Sequence, residues 1–269
     1  MRDVVVVAYA SREDAVLLAR TLEARLEKSV AVRIHLIDRD EDARVSRDAL
    51  VVSLGGDGTF LRAARLAHEA DAEVLGVHLG RVGFLLSVRP ESLFEEVDSA
   101  LAGELATETR VALRVSSSDQ PINEFCLNEV VVERNQIGHM VRVRSFIGED
   151  EFLTYSADGV MVATATGSTG YNFSAGGPVL SPELEVLVLT PIAPHFTIDR
   201  SIVVGSHQAI RLQTLDRDAA IVADGKLVGQ LKAGESINVS NDPRGVKVLA
   251  TEKLGLGSRL RHSLREGHA

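Results

Sequence analysis

Val4–Ala8 reads VVVVA, the kind of continuous apolar run that a strand covered on both faces needs. It opens an alternation of strand and helix signals. Arg12–Lys28 carries Ala15, Leu18, Leu22 and Leu26 at helical spacing. Val30–Ile37 and Leu50–Leu54 read as further strands, Thr59–Ala70 as a helix with Leu61, Ala64 and His68 on one stripe, and Glu73–Leu79 as a fourth strand. Pro90–Gly103 starts with Pro and ends with Gly, with Leu93, Val97 and Leu101 between, which are helix start and stop signals. This alternation predicts an α/β N-terminal domain with a mostly parallel, doubly wound sheet over residues 1–105.

Near residue 106 the pattern changes to short β-like runs punctuated by Gly, Asp, Asn and Pro. Ala106–Val115, Phe125–Glu133, Met140–Gly148, Glu151–Tyr155 and Val160–Ala163 are the first of them. Val186–Leu189, Ser201–Val204, Ala209–Thr214, Ala220–Ala223, Ser236–Val239 and Val246–Ala250 continue the series. Many short strands at close spacing predict an all-β, sandwich-like C-terminal domain over residues 106–250. In the tail, 251–269, Leu256, Leu260 and Leu264 fall four apart and suggest a last helix packing back on the first domain. With two closely packed domains, the cleft between them is the default place for a ligand.

Composition narrows the partners. Among 269 residues, 29 Lys and Arg face 38 Asp and Glu, a net charge of −9. That balance argues against a nucleic-acid partner but leaves room for a local basic pocket holding a small phosphorylated ligand. Cys126 is the single cysteine, so no intrachain disulfide forms, which fits a reducing compartment. Val4–Ala10 is shorter than the roughly 15–30 residues of a signal peptide. No apolar run approaches the ~18 residues of a membrane span. A soluble, cytoplasmic protein is expected.

The densest chemical signal is Gly55-Gly56-Asp57-Gly58-Thr59, set between a buried strand and a helix. Ligands bind at this end of strands in a parallel sheet, glycines let backbone approach phosphates, and the helix start offers free N–H groups. Asp57 would repel a phosphate, so its carboxylate suits a metal partner or a base for an attacking hydroxyl. A tight turn with a helix cap is the plainer reading. Gly225-Lys226 is followed by Leu227 and is no Walker loop; Leu61 and Leu260 stand where a dinucleotide fingerprint needs its third glycine. There is no H-E-x-x-H and no cysteine cluster to suggest zinc. A second signal, Asp158–Pro178, reads DGVMVATATGSTGYNFSAGGP. Its hydroxyls and glycines suit a polar ligand, and Tyr171 could stack on a base. The third is Asn128-Glu129 inside an apolar strand, where Asn can pair with an adenine edge and a carboxylate can accept from ribose hydroxyls.

Together these motifs resemble the NAD kinase family. The family pattern has GGDGT, then Asn-Glu or Asn-Asp, then DG…TxTGSTAYxxSAGGP, matched here by Gly55–Thr59, Asn128-Glu129 and Asp158–Pro178 in that order. A G-x-x-x-G-x-x-G-F stretch is matched by Gly76, Gly80, Gly83 and Phe84, T-P-I-x-P-H by Thr190 to His195, and a late Asp-Gly pair by Asp224-Gly225. GGDGT alone is shared with lipid kinases and phosphofructokinases; the ordered set is far more specific. The resemblance implies ATP-dependent phosphorylation of NAD at the 2′-hydroxyl of its adenosine ribose. Asp57 would be the proton acceptor, Gly58 would line the same site, and Arg62 would face phosphate. Gly55, Gly56, Gly58 and Thr59 would form the donor loop. Asn128 and Glu129 would hold the adenosine, Glu129 at the ribose, and Asp158 would contact the second nucleoside. Thr169, Gly170, Tyr171, Asn172, Phe173 and Ser174 would wrap the adenine, with Tyr171 stacking. Phe84 would close the pocket, Ala193 would approach through its backbone, and His139 and Ser156 sit at positions that often touch ligand.

The resemblance further implies Mg²⁺ with ATP or polyphosphate as donor, metal ligands unassigned, and a homodimer or homotetramer; with no apolar run of membrane-span length, no membrane partner is expected. Three residues depart from the pattern: Ala165 for the usual Pro, Gly170 for Ala and Asn172 for Ser. They bear on the preference between NAD and NADH. Outside the motifs, His35, His68 and Cys126 read as structural, and the mixed charges of Asp38–Arg47 as a solvated loop.

Overall fold

The structure, a computed structural model, describes residues 2–27, 29–40, 45–80, 84–86, 88–136, 138–250 and 257. The expected tail helix with Leu256, Leu260 and Leu264 lies outside these residues, as do Gly83 of the glycine stretch and part of the Asp38–Arg47 cluster. The chain divides into two units, residues 1–109 with those from 246 onward, and residues 110–245.

In the first unit, β1 (Val4–Ala8) pairs in parallel with β2 (Val32–Leu36) and β3 (Leu50–Gly55), and β3 pairs in parallel with β4 (Glu73–His78). Every residue of β1 and β3 is buried, which is why those segments are apolar without alternation. Helix α1 (Glu13–Leu26) buries Ala15, Ala19, Leu22 and Leu26, one stripe at helical spacing. Glu13 and Asp14 in its first turn and Arg25 in its last complement the helix dipole. Helix α2 (Asp57–Ala70) begins two residues earlier than periodicity suggests. Gly56 is extended and its carbonyl already accepts the Phe60 N–H at 3.1 Å, so Asp57 stands inside the first turn. Helix α3 (Leu93–Ala102) follows a 3-10 turn at Pro90–Ser92 and stops at Gly103, whose φ of 74° suits a left-handed cap. Strand β5 (Ala106–Arg110) completes this part.

The second unit holds two six-stranded sheets, all of whose recorded pairings are antiparallel. Its strands are β6 (Leu113–Ser116), β7 (Asn123–Cys126), β8 (Glu129–Arg134), β9 (Val141–Ile147), β10 (Asp150–Ala157) and β11 (Gly159–Thr164). After a 3-10 turn at Thr166–Thr169 and the short helix α4 (Tyr171–Ser174) come β12 (Val186–Ile192), β13 (Ile202–Gly205) and β14 (Ile210–Thr214). β15 (Ala219–Ala223), β16 (Lys226–Leu231) and β17 (Ser236–Asn241) close the unit. One sheet runs β10-β9-β14-β17-β6-β7, the other β13-β12-β11-β8-β15-β16. Their facing residues, among them Val130, Val132, Val143, Tyr155, Val162, Leu189, Leu212 and Ile221, form one buried core. The opposite face of β8 and β11 buries Val131, Met161 and Ala163 beneath Ala175 and Leu180.

Three expectations are corrected here. Ala106–Val115 is not one strand: β5 belongs to the first sheet and β6 to the second unit. Val246–Ala250 is a strand, β18, but it leaves the β-rich series and returns to the first sheet, giving the order β2-β1-β3-β4-β18-β5. It pairs in parallel with β4 through Lys247↔Glu73 and Val248↔Val74, and Lys247 Nζ donates to Asp71 Oδ1 at 2.6 Å. The third correction is that Phe125–Glu133 splits at Leu127-Asn128 into β7 and β8, which lie in different sheets. Among the described residues, no helix is long and apolar enough to cross a membrane.

Candidate active site

The glycine loop leaves the carboxyl end of β3, at a central position in a parallel sheet, and turns directly into α2. Its glycines do different jobs. A Cβ on Gly55 would collide with the Thr59 side chain, whose Cβ would lie 2.8 Å away, so Gly55 permits the tight strand-to-helix turn. A Cβ on Gly56 or Gly58 would meet nothing within 4 Å, so those two leave open space above the loop. Helix geometry gives the Asp57 and Gly58 N–H groups no intrahelical acceptor. The loop therefore presents donors and a positive dipole end toward that space, the arrangement that binds phosphate oxygens.

Asp57 is anchored on one side only. The Phe84 N–H donates to Oδ2 at 3.4 Å, while Oδ1 is buried with no partner among the described residues. Burial pushes the carboxyl above the ordinary aspartate range, against the opposing pull of the Phe84 and Leu85 N–H groups. A carboxylate with a raised pKa is a stronger base than a free one. Phe84 is half-buried, and Arg62, also half-buried, lies on α2 beyond Asp57.

In the second unit a different set converges. The Asp224 carboxylate accepts the N–H groups of Leu127 and Asn128 at 2.8 Å each and of Glu129 at 3.2 Å. These bonds stand in for ladder bonds and explain why the apolar run breaks at Leu127-Asn128. Alternation along β8 then puts Glu129 on the face of Val131, away from the sandwich core. Gly167 lies against the Asn128 backbone, where a Cβ would come within 2.6 Å of the Asn128 Cα. Gly170 faces both side chains, since its Cβ would sit 3.5 Å from Asn128 Nδ2 and from Glu129 Oε2. Asn128 Oδ1 and Glu129 Oε2 are buried with no partner among the described residues. Glu129 is 7% exposed; burial, and after it the Asp224 charge, pushes its carboxyl up to about 8.

Much of the polar 158–178 segment turns its hydroxyls and amide inward. Thr164, Thr166, Gly167, Ser168 and Asn172 are buried. The Thr164 hydroxyl donates to Leu127 O at 2.7 Å and accepts from Gly167 N–H; the Ser168 hydroxyl donates to Ala165 O at 2.6 Å. Asn172 is wholly occupied by the fold. Its amide donates to Ser168 O and Pro178 O at 3.2 and 3.1 Å, and its oxygen accepts from Thr190 Oγ1 at 2.7 Å. What α4 leaves exposed is Tyr171, Phe173 and Ser174. Tyr171 shares a cavity of about 290 Å³ with Asp158, Glu133, Arg134 and Ile192. Asp158 pairs there with Arg134 Nε at 3.1 Å. Thr169 and Gly170 are half-buried beside this helix.

His139 is exposed, in an adjoining cavity of about 370 Å³ that shares Arg134 and also holds Arg217. Half-buried Ser156 donates to Met140 Sδ at 3.8 Å, and its carbonyl accepts from His195 N–H. Exposed Ala193 has a φ of 47°, strained for a residue with a side chain and a common mark of functional backbone. The candidate residues thus form two groups, one per unit. The residue given no role from sequence is Asp224; Asp224-Gly225 stands there as the late Asp-Gly pair of the family pattern, with no sign of what its carboxylate holds. Among the described residues, no three His, Cys, Asp or Glu side chains are grouped to hold a metal ion.

Comparison with known proteins follows the same two-part division. The chain matches the ATP-NAD kinase N-terminal domain over residues 10–105 and the ATP-NAD kinase C-terminal domain over residues 127–251. It is 36% identical to NAD kinase 1 of Streptomyces avermitilis across 84% of this chain and 74% of the relative. It is likewise 36% identical to the NAD kinase of Heliobacterium modesticaldum, across 88% and 86%. In fold it is similar to the crystal structure of yeast NADH kinase complexed with NADH, with a TM-score of 0.87 at 21% identity over 100% of this chain and 89% of that one. It is also similar to an NAD kinase from Archaeoglobus fulgidus in complex with ATP, with a TM-score of 0.76 at 31% identity over 97% and 99%. With both family domains present in order, and relatives of this identity along most of their length, the chain belongs to the NAD kinase family of phosphotransferases.

Proposed function

We propose that the chain transfers the terminal phosphoryl group of ATP to the 2′-hydroxyl of the adenosine ribose of NAD, with Asp57 as general base. The carrying observation is the Asp57 carboxylate, one oxygen fixed on the Phe84 N–H and the other buried and unpartnered at the head of a glycine loop. A hydroxyl placed at Oδ1 meets an oriented acceptor of raised basicity. Its oxygen forms the new bond to phosphorus as the bond to the leaving ADP breaks, and its proton passes to Oδ1. The Asp57 and Gly58 N–H groups and Arg62 are suited to the donor's phosphate oxygens. The Archaeoglobus fulgidus NAD kinase of similar structure was solved in complex with ATP, which supports this reading.

Substrate recognition falls to the second group. Asn128 and Glu129 take the adenosine, and Tyr171 stacks on the base, with Thr169, Gly170, Phe173 and Ser174 around it. Asp158 meets the second nucleoside, Ala193 approaches the ligand through its backbone, with His139 and Ser156 at the margin, and Phe84 closes over the ligand. Asn172 acts as a structural support for this wall. A divalent ion, Mg²⁺ by preference, neutralises triphosphate charge when bound. The buried, unpartnered Oδ1 of Asp57 beside the glycine loop fits a carboxylate that could share an ion carried by the nucleotide. The exposed Phe196, Ile198 and Val203 support a homodimer or homotetramer. Light scattering on the purified protein reads that state.

The deciding experiment is Asp57→Asn. The variant is expected to fold and bind NAD but to form NADP at least ~10²-fold more slowly. Near-full turnover would remove Asp57 from the base role, and no NADP from the wild type with any phosphoryl donor would remove the reaction.

A further inference from the structure

The break between β7 and β8 leaves three successive N–H groups, those of Leu127, Asn128 and Glu129, without strand partners, and one carboxylate gathers all three. Asp224 can do so because its φ of 46° turns the chain back on itself, while its own N–H donates to Glu129 O at 3.0 Å. A carboxylate that accepts several N–H bonds is held ionised. Glu129, whose backbone N–H is one of the three, has a side chain in the opposite surroundings: buried, with Oε2 unpartnered among the described residues and aimed at the Gly170 gap. Its β11 pairing partner is Ala163, which carries no charge. The titratable groups that bear on it are Asp224 and, from α4, the Tyr171 phenol.

We propose that Asp224 is a positioning residue for the nucleoside site, holding the 127–129 turn so that Glu129 meets the ribose of the substrate as a neutral carboxylic acid. In that form Glu129 donates one hydrogen bond and accepts another, matching two sugar hydroxyls, and adds no second negative charge beside Asp224 or near an anionic pyrophosphate. This rests on the adenosine assignment above. Burial and the Asp224 charge keep the proton on Glu129 up to about pH 8. The Tyr171 phenol, pushed up from its ordinary value, stays neutral through the same range.

The test is calorimetric titration of NAD into the nucleotide-free protein from pH 6.5 to 9.5. Wild-type affinity is expected to fall as pH rises through about 8, by up to about tenfold per pH unit. Glu129→Gln, whose amide carries no titratable proton, is expected to lose that fall. Asp224→Asn removes the charge that favours protonation, so the fall is expected to begin at lower pH; a merely structural Asp224 would weaken binding equally at every pH. A flat wild-type profile, or a fall that persists in Glu129→Gln, overturns the proposal. If Asp224→Asn does not fold, the wild-type and Glu129→Gln profiles decide by themselves. Absence of NAD binding at any pH would instead strike the adenosine assignment.

Discussion

Asp224 Oδ1 accepts the backbone N–H of Asn128 at 2.8 Å, across 96 residues of sequence. With the Leu127 and Glu129 bonds, it anchors the point at which one apolar run is divided between two sheets. Asp224→Ala leaves three N–H groups without their acceptor in a partly buried setting. The expected loss is about 3 kcal/mol of unfolding free energy, since bonds to an ionised acceptor are stronger than neutral ones. Urea denaturation measures it. A loss below about 0.5 kcal/mol would show that water or the ladder replaces the carboxylate at no cost.

Glu129 makes stability depend on pH in a defined sense. Its folded-state carboxyl, at about 8, lies above the ordinary 4.5, so between those values the folded chain holds a proton the unfolded chain has released. Stability is therefore full at the acid end of the window and falls as pH rises through it. Glu129→Gln abolishes this contribution. The variant should match wild type near pH 4.5 and exceed it near pH 8.5, by on the order of 3 kcal/mol. Thermal unfolding at the two pH values checks the difference, and an equal offset at both would mean that Glu129 titrates normally.

Local pattern made much of the fold legible. Val4–Ala8 and Val246–Ala250 stand as strands with the very bounds their composition suggests, and the buried α1 stripe keeps the expected Ala15, Leu22 and Leu26 but takes Ala19, with Leu18 only partly buried. What local pattern lacks is the partner. Nothing within Val246–Ala250 says that it lies beside β4, because sheet adjacency is decided by residues far away in sequence. The same holds at Leu127-Asn128, whose break is caused by Asp224. Lys226–Leu231 went unread because Gly229 and Gln230 interrupt its apolar character. In the candidate site, Gly55–Thr59 and Asn128-Glu129 stand out by residue type alone, whereas the bonds with which the Asn172 side chain ties Ser168, Pro178 and Thr190 together depend on how the chain folds back and are not readable from composition.

That tie bears on one of the three departures from the family pattern. Asn172→Ser restores the usual residue but is too short to reach Pro178 O and Thr190 Oγ1 together. Thr190 would keep its 2.8 Å contact with Ser201 Oγ, which limits the damage. The variant should lose about 1–2 kcal/mol of stability. Its KM for NAD should change far less than that of Tyr171→Ala, because the Asn172 side chain is wholly buried whereas Tyr171 is 42% exposed. Parallel unfolding curves and KM values for the two variants test the division. A KM rise in Asn172→Ser as large as that in Tyr171→Ala, with stability intact, would return Asn172 to the ligand wall.

The glycines of the loop separate folding from binding. Gly58 is the second residue of α2 and has open space where a Cβ would stand, so Gly58→Ala adds a better helix former without a clash. Its stability should hold or rise, by up to about 1 kcal/mol. The added methyl, however, projects toward the space in which the loop N–H groups would meet a phosphate, and NADP formation should fall at least ~10-fold. Gly55→Ala should behave in the reverse order. Its Cβ would press on the Thr59 side chain, which is 5% exposed and has no room to yield, at a cost of about 1–3 kcal/mol. Activity per folded molecule should be reduced less than in Gly58→Ala. Unfolding free energies and turnover measured side by side distinguish the two. If Gly58→Ala keeps wild-type turnover, the space above the loop is not where the phosphoryl donor sits.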